Sequence, residues 1–302
     1  MTERDFSALV LYQAKRMFTP MEQRILGVSR MEKLVAFVAE DIGFNGLTRG
    51  WYKFGLFSPE AWNICNEYSN LENLVIPSFN TDEKLSELTA AIKKSLLKFH
   101  NIFPKKNNEE FSEWVYERAP KEYRSFYFSK KDFETHLGNF ERSLKQSKAR
   151  ELGEEYNEEI RSVTKFYENI RHATDDDVLD QFHSYMDLLE MSLLKIKNNV
   201  FELTQEKINF LMEMKEAYEC LLVLLVPFKQ TLTGENVELW SEWYDKINVK
   251  AKKDLSNRLN NLKEAANSLN IVPTISELRE DVDRLGRGQR ESLRELFNKV
   301  GA

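Results

Sequence analysis

The side chains that could hold a metal ion come in two pairs. His183 and Asp187 lie four residues apart, and Glu168 and His172 repeat that spacing. On a helix each pair shares a face and can offer two ligands to one ion. Carboxylate-rich metal centres in helical bundles take a Glu-x-x-His step from each of two helices, and no histidine here follows a glutamate by three. Cys65 and Cys220 are the only cysteines, which excludes a cysteine-rich zinc site within one chain and a disulfide framework. The sequence has no Gly-x-x-x-x-Gly-Lys-Ser/Thr phosphate loop, no Gly-x-Gly-x-x-Gly strand turn and no Gly-x-Ser-x-Gly elbow. Leu285-Gly286-Arg287-Gly288 is glycine-spaced but sits between helical stretches. We therefore expect no catalytic residue, no metal and no cofactor, and read the chain as non-enzymatic.

Residues suited to recognition are more prominent. Trp51, Tyr52, Phe54 and Phe57 fall in a glycine-spaced run, Gly43 to Phe57, together with Arg49 and Lys53. Alternation along a strand places Trp51 and Lys53 on one face, Tyr52 and Phe54 on the other. Arg49, Trp51, Lys53 and Phe57 are the candidate partner- or nucleic-acid-binding residues. Trp51 is read as an exposed ring flanked by two cations able to meet phosphate or an acidic partner. The competing account is that these rings are simply the core of a small module.

Charge weighs on the choice of partner. Residues 1–62 hold eight Lys or Arg against seven Asp or Glu, a weak footprint for DNA, where phosphate neutralisation carries most of the affinity. Residues 80–150 are more basic, fifteen against eleven, with Lys93-Lys94, Lys105-Lys106 and Lys130-Lys131. Residues 151–200 are acidic, twelve against five. There Glu154, Glu155, Glu158 and Glu159 form a candidate acidic interaction face for a basic partner, or for the basic 80–150 region of the same chain. Solvated helix faces explain both blocks as well.

The elements that must position these residues are mostly helices. Residues 3–18 and 29–41 read as helices, the second with Ser29 as its cap and Gly43 just past its end. The Gly43–Phe57 run reads as a short β-hairpin. Ser58-Pro59-Glu60 then starts another helix, with serine at the cap and proline at the first position. Helix, helix, hairpin, helix is the order of a winged-helix-like module, assigned to residues 1–76. Residues 70–80, with Pro77, read as a linker.

From Thr81 the pattern is helical. Leu85, Leu88, Ile92, Leu96 and Phe99 make one stripe, and residues 109–147 hold two shorter helices separated near Pro120. Leu179, Phe182, Met186, Leu189, Leu193, Ile196 and Val200 alternate steps of three and four after Asp175-Asp176-Asp177. Leu211 to Phe228 and Leu255 to Leu269 repeat that spacing, with breaks at Asn198-Asn199, Pro227 and Gly234. Thr274 and Glu277 make a capping box for a last helix. The fold class expected is mainly α: the small N-terminal module, then an antiparallel helical bundle over 81–302 with coiled-coil-like segments, subdivided near 150 and 230. The stripes can close within one chain or pair two copies as a homo-oligomer.

Arg24 to Trp62 resembles the YwgA-type proteins and, more distantly, the Panacea-type antitoxin domain. The matching residues are Lys33-Leu34 on a helix, then Trp51-Tyr52-Lys53-Phe54-Gly55-Leu56-Phe57-Ser58 leading into the next helix. Leu56 stands where proline is common in that pattern. The resemblance implies a winged-helix-like scaffold that binds partners, with no catalytic residues to carry over, and protein binding as the first function to test.

The net charge of −6 argues against broad binding to acidic membranes. Cys220 to Phe228 is the longest apolar run, too short to span a bilayer and broken by Pro227. A cytoplasmic protein with a protein partner is the expectation, with a nucleic-acid-binding regulator using residues 49–53 as the alternative.

Overall fold

The structure is a computed structural model, and it describes residues 1–68, 70–74, 83–145, 161–162, 164–170, 176–197 and 204–271. It is mainly helical, with one small two-stranded antiparallel sheet. In chain order the elements are α1 (Glu3–Met17), α2 (Pro20–Ile25), α3 (Val28–Asp41), β1 (Gly50–Tyr52), β2 (Gly55–Phe57), α4 (Pro59–Cys65), α5 (Glu83–Phe99), α6 (Asn108–Tyr116), α7 (Lys121–Lys145), α8 (Asp176–Lys197), α9 (Gln205–Leu225) and α10 (Val237–Ser268).

Local chemistry sets the helix starts. Thr2 caps α1: its hydroxyl accepts from the Asp5 N–H at 3.1 Å, while the Asp5 carboxylate accepts from the Thr2 N–H at 3.2 Å. Hydrogen bonds from Thr2 hold the Asp5 carboxyl below its ordinary value, and such a cap contributes about 1 kcal/mol. Thr19 and Glu22 make the same reciprocal pair at α2, with Pro20 at the first helical position. Asn107 and Glu110 repeat it at α6. Ser58 caps α4 as the sequence implies, its hydroxyl accepting from the Ala61 N–H at 3.4 Å. At α3 the cap position falls on Gly27 instead of Ser29, with no side-chain hydrogen bond.

By contacts the chain forms two compact units. The first comprises Met1–Lys131, Asn169–Thr174 and Leu222–Ala251; the second comprises Asp132–Glu168, Asp175–Leu221 and Lys252–Ala302. Residues 1–76 therefore share the first unit with α5, α6 and the start of α10.

Within the first unit α3 is the axis. It packs against α1, α4, α5 and β2, and every residue from Arg30 to Ala39 is buried. A helix enclosed on all sides is expected to be apolar throughout, yet Arg30, Glu32 and Lys33 lie inside. Arg30 donates to the Phe103 carbonyl, to the Lys106 carbonyl at 2.8 Å and to Asn108 Oδ1 at 3.1 Å, with its guanidinium over the Phe111 ring. It thereby ties α3 to the start of α6. Glu32 accepts from the Ser58 N–H at 2.8 Å, and Lys33 Nζ donates to the Leu56 carbonyl at 3.1 Å while lying 3.5 Å from the Glu32 carboxylate. This pair joins α3 to β2 and to the head of α4. Burial raises the Glu32 carboxyl against the opposing pull of Lys33 and the Ser58 N–H. Breaking such a pair from one side strands a buried charge.

The second unit buries Phe133, Phe166, Phe182, Tyr185, Met214 and Tyr218. Phe133 stacks on Phe166 at 5.3 Å, and the Tyr218 hydroxyl donates to Glu134 at 3.1 Å. Leu255, Leu259, Leu262 and Ala266 form the buried stripe of α10 that the spacing implies. On α8 Phe182, Met186 and Leu189 of the expected stripe are buried, together with Val178, Tyr185, Leu188, Ser192 and Lys195. Half-exposed Leu179 is not part of that buried set. Val200, Thr274 and Glu277 lie outside the described residues, as do Glu154, Glu155, Glu158 and Glu159 of the acidic face. Among the described residues no helix is long and apolar enough to cross a membrane.

Candidate functional site

The hairpin is tight. Gly50 pairs with Phe57, Trp51 with Leu56 and Tyr52 with Gly55, leaving Lys53 and Phe54 as a two-residue turn. Gly55 takes φ +100, which L side chains rarely adopt, and a Cβ there would collide with Val115 of α6. Because the strand ends at Tyr52, the expected alternation through Lys53 and Phe54 stops at the turn.

Two of the four predicted reader residues are not at the surface. Trp51 is 3 % exposed and Arg49 8 %, so the expected exposed ring beside two cations is corrected here. The cause is chain from far downstream. The Arg49 N–H donates to the Thr233 carbonyl and the Thr233 N–H to the Arg49 carbonyl, each at 2.9 Å. Thr231 Oγ1 accepts from the Trp51 N–H at 2.7 Å. The open edge of β1 is thus covered, as an edge strand generally must be. The Arg49 guanidinium turns inward and donates to the Phe44 and Leu47 carbonyls, both at 3.1 Å.

A nest of rings closes over the strands. Trp51 lies 5.5 Å from Tyr127, Tyr52 lies 5.3 Å from Phe228, and Phe228 lies 5.2 Å from Tyr244. The Tyr127 hydroxyl donates to the Tyr52 carbonyl at 2.8 Å, and the Tyr244 hydroxyl to the Val223 carbonyl at 2.7 Å. What stays accessible is different from the prediction. Lys53 and Phe57 are half-buried, whereas Phe54 at the turn is 56 % exposed and Trp62 on α4 is 38 % exposed. Phe57 links Trp62 to the nest, its ring 6.1 Å from both Trp62 and Phe228. Beneath Phe54 lies the ammonium of buried Lys130, 5.0 Å from its ring centre.

A second feature of the first unit has no counterpart in the sequence reading. At the C-terminal end of α3 a cavity of about 320 Å³ is lined by Phe37, Glu40, Asp41, Lys98, Phe99, Ile102, Trp114 and Arg118. Its floor is aromatic: Trp114 lies 5.0 Å from Phe37 and 5.9 Å from Phe99, in edge-to-face arrangements. Its rim is charged. Lys98 Nζ donates to both oxygens of Asp41 at 2.8 Å. Arg118 lies over the Trp114 ring, 3.8 Å from its centre, and donates to the Trp114 carbonyl at 2.9 Å. Burial raises the Glu40 carboxyl, opposed by Arg49 and Arg118, and the same burial lowers Arg118. Only tertiary structure assembles this group, since its members come at irregular intervals from α3, α5, α6 and the segments that follow α5 and α6.

The metal-ligand pairs lead elsewhere. His183 Nε2 lies 3.3 Å from the Tyr167 hydroxyl, and His172 lies outside the described residues. Among the described residues no three side chains of His, Cys, Asp or Glu gather as a metal would require. Cys65 is buried, and burial reinforced by Glu32 pushes its thiol well up, away from a reactive thiolate.

No curated protein and no solved structure matches the chain. A family does match over residues 69–297, a stretch that leaves the hairpin outside but takes in Lys98, Trp114 and Arg118. By that match the chain belongs to the family described as a domain of unknown function, DUF8098.

Proposed function

We propose that this is a non-enzymatic interaction protein that binds a protein partner on the rings flanking the hairpin. The observation that carries the reading is the exposure of Phe54, at the turn of a hairpin whose backbone edge is already taken, and of Trp62 on the helix that follows it. Aromatic side chains are enriched among the few residues that dominate protein interfaces. Here their backbone is held rigid by α4 and the nest, so little order is lost on binding. The order α3, hairpin, α4 suits the partner-binding scaffold implied by the resemblance of residues 24–62, without a projecting wing.

The alternative, a nucleic-acid-binding regulator, loses support. Two of its three chosen residues, Arg49 and Trp51, are buried, and the Arg49 guanidinium is engaged by backbone carbonyls. Phosphate contacts need accessible cations.

The test is to purify the tagged protein from its own cells, identify a stoichiometric companion, and measure the affinity of the two purified components. Phe54→Ala/Trp62→Ala should weaken that affinity at least tenfold with far-UV dichroism unchanged. A companion that binds the double variant as well as the wild type would sink the proposal. So would a protein that remains a lone monomer.

A further inference from the structure

We propose that the cavity at the end of α3 is a binding site for a small zwitterion, a free α-amino acid with an apolar side chain, its ammonium on Glu40 and its carboxylate on Arg118. This site is separate from the partner surface, sharing none of Phe54, Phe57 or Trp62.

The cavity's composition narrows the ligand. Its volume of about 320 Å³ lies at the small end of ligand sites, roughly 300–1,000 Å³, which suits a metabolite of amino-acid size. Phe37, Phe99, Ile102 and Trp114 supply an apolar floor. Of the four charged residues at the rim, Lys98 and Asp41 satisfy each other through two hydrogen bonds and serve as wall. Glu40 and Arg118 differ. No hydrogen bond reaches the Glu40 carboxylate among the described residues, although Arg49 and Arg118 act on it electrostatically. Arg118 commits an N–H to the Trp114 carbonyl, and a guanidinium has five. Its plane over Trp114 holds the remaining donors in place.

Charge then excludes the simpler ligands. A phosphate ester would meet Glu40 and Asp41, and a polyamine would meet Arg118 and Lys98. A molecule with one charge of each sign, joined to an apolar group, meets neither conflict. Its ammonium donates to the exposed Glu40 carboxylate, which no donor among the described residues occupies, and its apolar group faces the aromatic floor. Arg49 acquires a role here: fixed on the Phe44 and Leu47 carbonyls, it stands near Glu40 as a background charge and does not line the cavity.

Isothermal titration of the full chain with L-phenylalanine and L-leucine tests the assignment. One-to-one saturable binding is expected. N-acetyl-L-phenylalanine, which lacks the ammonium, and L-phenylalaninamide, which lacks the carboxylate, should each bind at least tenfold more weakly. Glu40→Gln should cost tenfold toward L-phenylalanine but nothing further toward the acetylated analogue. Arg118→Gln should do the same with the amide. Both residues are exposed, so the variants should fold as the wild type does, with far-UV dichroism unchanged. Ile102→Trp, which fills the cavity, should abolish binding. The assignment is overturned by no saturable heat from either amino acid at millimolar concentration, by blocked analogues that bind as well as the free ones, or by undiminished binding in Glu40→Gln and Arg118→Gln.

Discussion

The first unit contains two aromatic clusters that differ in how their polar atoms are used. Around the hairpin, the Trp51 N–H, the Tyr127 and Tyr244 hydroxyls and the Arg49 guanidinium all bond to protein within the unit. At the end of α3, rings of the same kinds surround a space whose Glu40 carboxylate has no hydrogen-bond donor among the described residues. Ring content is therefore a poor guide to recognition. A cluster whose polar atoms are turned inward onto protein is core, and one that presents an exposed carboxylate that no protein donor reaches has something to offer a ligand.

That contrast predicts the largest stability losses where the hairpin is closed. Gly234 holds φ +123, and a Cβ there would stand 2.5 Å from the Thr48 Cα and 2.7 Å from the Leu47 carbonyl oxygen. Backbone cannot yield as a side-chain tip does, so Gly234→Ala should destabilise by about 3 kcal/mol or more, read by chemical denaturation. A loss under 1 kcal/mol would mean that the downstream segment is not the hairpin's lid. Next comes Thr231→Val, which keeps the shape but removes the acceptor of the Trp51 N–H and the donor to the Pro227 carbonyl at 2.7 Å. A buried N–H left unmet costs roughly 2 kcal/mol. Equal stability in the valine variant would show that water reaches this edge.

Phe54→Ala belongs on the other side of the comparison. The ring is mostly exposed, so its removal should change stability by about 0.5 kcal/mol or less. A larger loss would reassign Phe54 to the core, as the roof over Lys130, and weaken its role in partner binding.

These cases also show what the sequence could disclose. Gly55 and Ser58-Pro59 announce a turn and a helix start through the chemistry of single residues, and the hairpin and α4 follow them. The same holds for the α9 stop at Leu225 before Pro227. Residues 19–27 escaped assignment, although Thr19-Pro20 and Glu22 carry a complete capping box. The α8 stripe was legible through Phe182, Met186 and Leu189, but the buried face is wider than the stripe, because Tyr185, Ser192 and Lys195 also lie inside and a hydrophobic pattern passes over them. The fate of Arg49 and Trp51 was not legible at all. Their neighbours Thr231 and Thr233 come from about 180 residues away, and nothing near residue 50 encodes that encounter. The cavity shares this property, since Glu40 and Arg118 are ordinary surface residues until three helices bring them together.

The smallest effect separates the two clusters most directly, because it depends on charge alone. Burial raises the Glu40 carboxyl in the folded protein, with Asp41 adding to the rise and Arg49 and Arg118 resisting it. A carboxyl raised on folding binds its proton more tightly in the native state. Its contribution to stability is therefore fully present below the unfolded value, about 4.3, and is lost as pH rises through the folded value. Glu40→Gln cannot undergo that loss. The variant should gain on the wild type as pH climbs from about 4 to 7. Saturating L-phenylalanine should reverse the order at pH 7, since a ligand that needs the Glu40 charge stabilises the wild type selectively. A gap that ignores pH would show that folding leaves the carboxylate unperturbed, and would remove the electrostatic difference that sets this cavity apart from the hairpin nest.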